Sequence, residues 1–284
     1  MDWTKSKSIL MIALILTNFI LLYGVMDSKH AFDNNFDHEA ESWSEVIEIG
    51  KQKQITFDQP PVYYSNTLQG IRLEYQMYNT EQIAQNLLGT YMVNLGRYQN
   101  KLGDEMIFEN GNKLLFTKNN SKNPIVSQDL DQSVAKIKAE QFLSDIQLSS
   151  ADMFFWNVEK GNGLTTVIFR QYYKKLFLDD AYMAVTFQGS KVIKFERKWF
   201  NPPEILNYSR KIIQPSKALF MAFDSVQQAG ETVPIKIKYL ELGYRLDSSA
   251  LVSSIKAGEA SPYWRVLTDK GKVYYIKAQE QVGN

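Results

Sequence analysis

An uncharged apolar run near the N-terminus constrains this chain more than any other feature. Residues 8–26 read SILMIALILTNFILLYGVM, without one charged side chain. Nineteen residues in an α-helix rise about 28 Å, which is close to the hydrocarbon thickness of a bilayer. The run therefore predicts a single transmembrane helix at residues 8–26, preceded by a short tail at residues 1–7.

The residues that flank the run predict its orientation. Lys5 and Lys7 precede it, whereas acidic residues dominate the stretch that follows it. Because lysines favour the cytoplasmic side of a membrane, the tail is predicted to be cytoplasmic and the C-terminal domain extracytoplasmic. Trp3 and Tyr23 lie near the two ends, where aromatic side chains favour the interface. The predicted location is the cell membrane, with membrane lipid as one partner.

A cleavable signal peptide is the alternative interpretation of this run. Such a peptide normally has an apolar core of about 7–15 residues, followed by a small-x-small cleavage site. The sequence after Leu22 reads YGVMDSKHAF and lacks a good site of this kind. An uncleaved anchor is therefore the favoured prediction.

Small and polar residues inside the run predict a face that packs against a second transmembrane helix. Ala13, Thr17 and Gly24 share one side of a helix, and Asn18 offers a hydrogen bond across a contact. Small side chains let two helices approach closely. The opposing interpretation is a plain single-span anchor, in which these four residues have no partner.

The composition removes most catalytic chemistry. The chain has no Cys, and its two His residues, His30 and His38, both lie near the start. It therefore has no disulfide framework, no cysteine zinc site and no thiol nucleophile. The 32 Lys and Arg nearly balance the 31 Asp and Glu, which argues against nonspecific nucleic-acid binding. With no phosphate-loop, dinucleotide, zincin or serine-hydrolase motif, the chain is predicted to be no enzyme and to have no catalytic, cofactor-binding or metal residues.

Two adjacent acidic residues are the remaining candidate for acid–base catalysis. Asp179 and Asp180 resemble the paired carboxylates that glycosidases use. The surrounding sequence favours a solvated turn between two strands instead. The catalytic interpretation is therefore disfavoured.

Hydrophobic periodicity beyond the anchor predicts an α+β ectodomain. Helical spacing marks three segments, at residues 32–47, 131–146 and 215–229, and the second begins at Asp131 as a helix cap. A fourth, shorter helix is expected after Asn79 and Thr80, running through Ile83, Leu87 and Tyr91. Strands are predicted at Ile71–Met77, Met106–Phe108, Leu114–Phe116, Met153–Val158, Thr165–Tyr173, Tyr182–Phe187, Val192–Trp199, Ile235–Leu246, Tyr263–Leu267 and Val273–Ile276.

The order of these segments predicts three successive units after the anchor. Residues 27–125 contain the membrane-proximal helix, which is expected to stop at Gly50, and a first α+β unit. Residues 126–205 and residues 206–284 each read as a helix followed by an antiparallel meander.

Adjacent aromatic residues leave a second function open. Four pairs place neighbouring rings on opposite faces of predicted strands: Tyr172-Tyr173, Trp199-Phe200, Tyr263-Trp264 and Tyr274-Tyr275. One ring of each pair is expected in the core, and an exposed one would suit a partner or a glycan. The alternative function is thus an extracytoplasmic protein that binds cell-wall glycan or another ligand and has a passive membrane anchor. Internal packing of these rings is the favoured interpretation.

The two ends of the chain resemble one protein family. The tail reads MDWTKSK and leads directly into an apolar run that ends Leu21-Leu22-Tyr23, like the opening of the YycI (WalI) family. The helix that begins at Pro215, the strand with Gly243-Tyr244 and the hairpin PYWRV…YYI resemble the closing unit of that family.

This resemblance implies a fold, a function and partners. The ectodomain would consist of PepSY-like units, each a helix on an antiparallel sheet. The protein would be a non-catalytic regulator in the two-component system that controls cell-wall metabolism. Its implied partners are a YycH-like membrane protein and a sensor histidine kinase of the WalK/YycG type, contacted through the transmembrane helix and the ectodomain.

Overall fold

The computed structural model describes residues 11, 13–18, 20–21, 42–57, 59, 64–119, 129–246 and 257–280. Residues 13–18 are helical. Within the described ranges, no helix is long and apolar enough to cross a membrane. Because residues 8–26 lie partly outside these ranges, the transmembrane helix stays a prediction.

The described residues form a mixed α+β fold with few helices and many strands, which confirms the predicted class. Helix α1 covers residues 42–52, and the others are α2 (Thr80–Leu88), α3 (Gln132–Asp145) and α4 (Pro215–Gln228). The strands are β1 (Ile55–Phe57), β2 (Thr67–Glu74), β3 (Tyr91–Asn94), β4 (Arg97–Asn100), β5 (Glu105–Glu109), β6 (Lys113–Thr117), β7 (Met153–Gly161), β8 (Leu164–Tyr173), β9 (Leu176–Gln188), β10 (Lys191–Lys198), β11 (Glu204–Lys211), β12 (Ile235–Leu246), β13 (Ala257–Thr268) and β14 (Val273–Lys277).

The chain divides into two compact units, each assembled from separate stretches of sequence. Unit 1 comprises residues 1–65, 213–240 and 266–274, and unit 2 comprises residues 66–212, 241–265 and 275–284. These two units are defined by compactness in space, whereas the predicted units are consecutive ranges of the sequence. The predicted division at 27–125, 126–205 and 206–284 therefore stays a prediction.

Unit 1 contains α1, α4, β1 and the first part of β12. β1 pairs in parallel with β12, with Ile55 opposite Ile235. Helix α1 runs to residue 52, two residues beyond the predicted stop at Gly50. A Cβ atom at Gly50 would lie 2.7 Å from the ring of Phe223 in α4. The glycine is therefore explained by the close approach of α1 and α4 rather than by a helix end.

Unit 2 contains a long and largely antiparallel sheet. Its strands follow the order β11-β2-β13-β12-β9-β10-β6-β5-β4-β3, and β8 and β7 branch from β9. Among its pairs with a described register, all are antiparallel except β12 with β9, where Gly243 pairs in parallel with Phe177.

Helices α2 and α3 pack with the strands of unit 2 in a single hydrophobic core. Asp131 caps α3 as predicted, because its carboxylate accepts a hydrogen bond from the Ser133 N–H at 2.8 Å. The inward stripe of α3, Ala135, Ala139 and Leu143, is fully buried against the sheet. The largest rings in this core belong to strands: Phe116, Phe169, Phe187 and Phe195.

Strand β9 differs from its sequence-based prediction. Asp179 and Asp180 lie inside β9, so the predicted turn at these residues is wrong. The chain turns instead at Lys174 and Lys175, with φ of 49° and 69°. Strand β9 therefore begins with the apolar residues 176–178, before the acidic pair. The register of β9 against β8 shifts between Arg170 and Tyr172 of β8, and this bulge accommodates the additional residues of β9.

Four strands were not predicted from the sequence, and one helix is shorter than predicted. Strand β1 alternates but has only three residues, and β3, β4 and β11 lack a clear alternation of apolar and polar residues. Helix α2 begins at Thr80, one residue before the predicted start, and ends at Leu88. The φ of 66° at Gly89 ends the helix, and Tyr91 then belongs to β3.

Candidate functional site

The predicted transmembrane face lies partly within the described residues. Ala13, Thr17 and Asn18 are helical and exposed. The Thr17 hydroxyl donates to the carbonyl oxygens of Ala13 at 2.8 Å and Leu14 at 2.9 Å. Its polarity is therefore satisfied within its own helix, which leaves a small and compact surface at this position.

The remaining predicted residues of the N-terminal region lie outside the described residues. They are Gly24 of the partner face, the topology determinants Lys5 and Lys7, and the interfacial aromatics Trp3 and Tyr23. The roles of all eight N-terminal residues stay predictions.

In unit 2, charged and aromatic side chains gather around the bulge in β9. We name this group the β9 cluster; its members are Tyr75, Trp156, Tyr172, Phe177, Asp179, Asp180, Lys198, Glu241, Arg245, Arg265 and Tyr275. Gln171 of β8 faces residues 178–181 of β9, so four residues oppose one. Asp180 adopts a φ of 64°, in the left-handed region that is uncommon for residues other than glycine. The contacts around Asp180 hold the backbone in this conformation. The bulge presents both aspartates to partners on other strands.

The first half of the cluster is an ion pair between a buried arginine and a partly exposed glutamate. Arg265 is 3% exposed, and its Nη2 donates to Glu241 Oε2 at 2.6 Å. The guanidinium carbon lies 4.1 Å from the ring centroid of Phe177 and 4.7 Å from that of Trp156. Tyr172 donates to the same Glu241 oxygen at 3.2 Å. Burial, together with the charge of Glu241, raises the pKa of Tyr172 to about 12, so the phenol stays protonated.

The second half of the cluster gives each aspartate its own cation and its own phenol. Asp179 accepts hydrogen bonds from Tyr275 at 2.7 Å and pairs with the Arg245 Nε at 3.2 Å. Asp180 accepts a hydrogen bond from Tyr75 at 2.8 Å and pairs with Lys198. Burial is the main reason why the pKa values of Tyr75 and Tyr275 are raised, and the neighbouring aspartates raise them further.

These contacts describe a scaffold rather than a pair of catalytic acids. A glycosidase directs two carboxylates at one bond of its substrate. Here the two carboxylates are committed to different side chains of the same unit. The arrangement fixes the bulge and neutralises both charges.

One glycine is required where β12 meets the cluster. A Cβ atom at Gly243 would lie under 3.0 Å from both the ring and the carbonyl oxygen of Phe177. Gly243 pairs directly with Phe177, and Phe177 in turn packs under Arg265. Because Gly243 has no side chain, β12 can pair closely with β9. Glu241 and Arg245 of β12 therefore reach the cluster.

The aromatic pairs singled out from the sequence are mainly used inside the molecule. Trp199 and Phe200 are both buried, and Phe200 stacks on Tyr75 at a centroid distance of 4.3 Å. Trp264 is fully buried. The hydroxyl of Tyr172 donates a hydrogen bond to Glu241, and the hydroxyl of Tyr275 donates one to Asp179.

A second polar network holds the neighbouring strands β6 and β10 together. The Lys113 ammonium lies 3.1 Å from Glu196 and 3.1 Å from Glu109, and Glu196 also pairs with Lys194. Tyr182 donates to Glu196 at 3.1 Å. Burial alone would raise the pKa of Glu196, but its hydrogen bonds with Lys194 and Lys113 outweigh burial and lower it.

No group of three or more His, Cys, Asp or Glu in the described ranges has an arrangement that could hold a metal ion.

The sequence did contain one signal for the β9 cluster that the predictions above do not use. Arg265 stands between Trp264 and Val266, a charge inside the otherwise apolar segment YWRVL, and such a charge needs a partner when it is buried.

Comparisons with known proteins show similarity at the level of the fold. No family model matches the sequence, and no curated protein matches it. The solved structure of an uncharacterized protein from Eubacterium rectale has a TM-score of 0.51 and 10% identity, over 81% of this chain and 84% of that one.

Two further similar structures come from Bacillus species. YycH from Bacillus subtilis has a TM-score of 0.50 and 12% identity over 73% of this chain, which spans 52% of the YycH chain. The C-terminal domain of YpeB from Bacillus megaterium has a TM-score of 0.41 and 12% identity, over 72% of this chain and 94% of that domain. The fold is therefore YycH-like, and identities this low establish no more than the fold.

Proposed function

We propose that this chain is a membrane-anchored, non-catalytic regulator of a sensor histidine kinase of the WalK/YycG type, acting with a YycH-like membrane protein. The observation that carries the proposal is the structural similarity to YycH over 73% of the chain. The resemblance of residues 1–7 and the following apolar run to the opening of the YycI family supports it independently.

The proposed mechanism is a shift between two states of the kinase. A bound protein changes such an equilibrium only if it binds the two states with different affinities. The predicted helical face of Ala13, Thr17 and Gly24 is one surface where this difference can arise, because small residues allow close helix packing. The extracytoplasmic units are the other, through their contact with the YycH-like protein.

The β9 cluster fits a binding protein better than an enzyme. Its charged groups are paired with one another, and its phenols are held in the protonated form. These features stabilise a fixed surface. A protein that selects a partner by shape needs such a surface.

Co-purification of the full chain from membranes tests the proposal. We expect the kinase and the YycH-like protein to co-purify with the wild-type chain, and to be reduced or lost with Ala13→Phe. Ile15→Phe is the matched control, because residue 15 lies on roughly the opposite side of the helix from residue 13. Both variants must be shown to insert in the membrane.

The result separates the proposal from its alternatives. Loss with both phenylalanine variants would indicate general damage to the anchor. No association of the wild-type chain with either protein would reject the regulator, and retention of the wild-type chain on purified cell wall would then favour the glycan-binding function.

A further inference from the structure

The inference concerns Arg197, a charged residue on the core side of β10. Arg197 is 3% exposed, and Phe195 and Trp199, two residues before and after it, are also buried. It pairs across the sheet with Leu114 of β6 and Met183 of β9, both fully buried in the core of unit 2. Directly paired residues project from the same face of a sheet. A guanidinium, which stays charged in proteins, therefore lies on an apolar face.

Three polar atoms at this position have no hydrogen bond within the described residues. They are Nε and Nη1 of Arg197 and the hydroxyl oxygen of Tyr78, and all three are buried. The guanidinium carbon lies 5.1 Å from the ring centroid of Tyr78 and 5.4 Å from that of Trp199. Arg197 and Tyr78 both carry hydrogen atoms to donate, and buried donors are nearly always paired.

The charge of Arg197 also lacks a counter-ion among the described residues. Arg197 forms no ion pair there, whereas the next residue, Lys198, pairs with Asp180. The charge of Asp152 acts on Arg197 from farther away, but burial outweighs it and lowers the pKa of the guanidinium. Burial raises the pKa of Tyr78, so the phenol stays neutral and supplies no negative charge. A buried charge that no opposite charge balances is strongly destabilising.

We propose that Arg197 and Tyr78 bind a chloride ion inside unit 2. An anion accepts hydrogen bonds and donates none, which matches the unpaired groups of these two residues. Chloride also supplies the missing negative charge, whereas a water molecule or a direct hydrogen bond from Arg197 to Tyr78 would leave the charge unbalanced. The near-complete burial of Arg197 restricts the ligand to an ion of one atom, because a larger anion would need an open approach.

The carboxamide of Gln76 can offer the ion a third donor. The Gln76 backbone N–H donates to the carbonyl oxygen of Trp199 at 2.8 Å, which places this residue beside the ring that packs on Arg197. Its side-chain oxygen is buried without a hydrogen bond. The amide also carries an NH2 group, and rotation of the amide exchanges the two groups, so that the NH2 group would face a bound anion.

Urea unfolding of the full chain in detergent, with gluconate replaced stepwise by chloride at constant ionic strength, tests the proposal. An ion that binds only the folded chain raises the ratio of folded to unfolded protein. Above its dissociation constant, each tenfold step in concentration raises that ratio about tenfold. We expect this response in the wild type and its loss in Arg197→Met. Arg97→Met is the matched control, because Arg97 is an exposed arginine paired with Glu105, and it should keep the wild-type response.

Tyr78→Phe gives a second readout that decides the matter if Arg197→Met does not fold. This variant keeps the ring and removes one proposed ligand, so the rise in stability should begin at a higher chloride concentration than in the wild type. A wild-type stability that does not respond to chloride would overturn the proposal. An unchanged response in Arg197→Met or in Tyr78→Phe, or a loss of the response in Arg97→Met, would overturn it as well. None of these outcomes depends on whether the chain regulates a kinase.

Discussion

Glu196 is the residue whose ionisation bears most directly on the pairing of β6 with β10. Burial alone would raise its pKa, but its hydrogen bonds with Lys194 and Lys113 outweigh burial, so the folded value lies below the ordinary value of 4.5. A carboxylate with a lowered pKa stabilises the fold at pH values above its unfolded pKa. This stabilisation is lost as the pH falls through the folded pKa.

We expect Glu196→Gln to lower the free energy of unfolding by about 1–2 kcal/mol at pH 7. The difference from the wild type should shrink toward zero below the folded pKa, because the wild-type side chain is then neutral as well. Urea unfolding of both proteins at a series of pH values from pH 7 downward measures this. Glu48→Gln, which removes an exposed ion pair with Lys51, should change the free energy by less than about 1 kcal/mol. A loss for Glu196→Gln that stays constant over the whole pH series would contradict the assignment.

Single residues also show the limit of reading a site from sequence. Asp179 and Asp180 stood out as an acidic pair, but their partners Tyr75, Lys198 and Tyr275 lie far away in the chain. Local sequence identifies residues that need partners. It does not identify the partners, because strand pairing over long separations brings them together.

At the scale of elements, Gly243 determines how β12 fits against β9. A methyl group at this position would enter the space of the Phe177 ring and its carbonyl oxygen. Backbone oxygen cannot move aside as a flexible side chain can, so the strands would separate.

Gly243→Ala is therefore expected to lower the free energy of unfolding by about 3 kcal/mol. Gly161→Ala at the end of β7 is the matched control, since a Cβ atom there would meet nothing within 4 Å, and we expect a change within about 0.5 kcal/mol. Thermal or urea unfolding distinguishes the two variants. Similar stabilities for both would show that β12 and β9 are not packed as described.

The elements that were predicted correctly have strong local signals. Asp131 caps the start of α3, and Pro215 is the first residue of α4, a position that favours proline. The hairpin of β5 and β6 follows from Asn110-Gly111, whose residues adopt φ of 52° and 72°. Strands β3 and β11 lie at the two ends of the sheet, where side chains need not alternate regularly between buried and exposed. Their sequences therefore lack the alternation of apolar and polar residues that predicts a strand.

At the scale of the whole molecule, the α+β class followed from the alternation of helical and strand-like periods, but the strand order did not. β13 lies between β2 and β12, and β9 pairs with β10, β8 and β12. These neighbours depend on packing between distant segments. Sequence periodicity indicates which faces are apolar and leaves the choice of neighbour open.

The same distinction applies to function. The N-terminal motif and the charge pattern led to the proposal of a membrane regulator, and the YycH-like fold supports it from a separate direction. The β9 cluster, in contrast, came only from the structure. It explains how contacts within unit 2 hold the bulge of β9 in place, and the predicted helical face around Ala13 stays the surface proposed to contact the kinase.

Kinase output in cells that lack this chain tests the central proposal most directly. We predict that deletion changes phosphorylation of the cognate response regulator, and that the wild-type chain and Ile15→Phe restore it whereas Ala13→Phe does not. Output that stays at the wild-type level after deletion, in cells that also show no association between this chain and the kinase, would contradict the proposal.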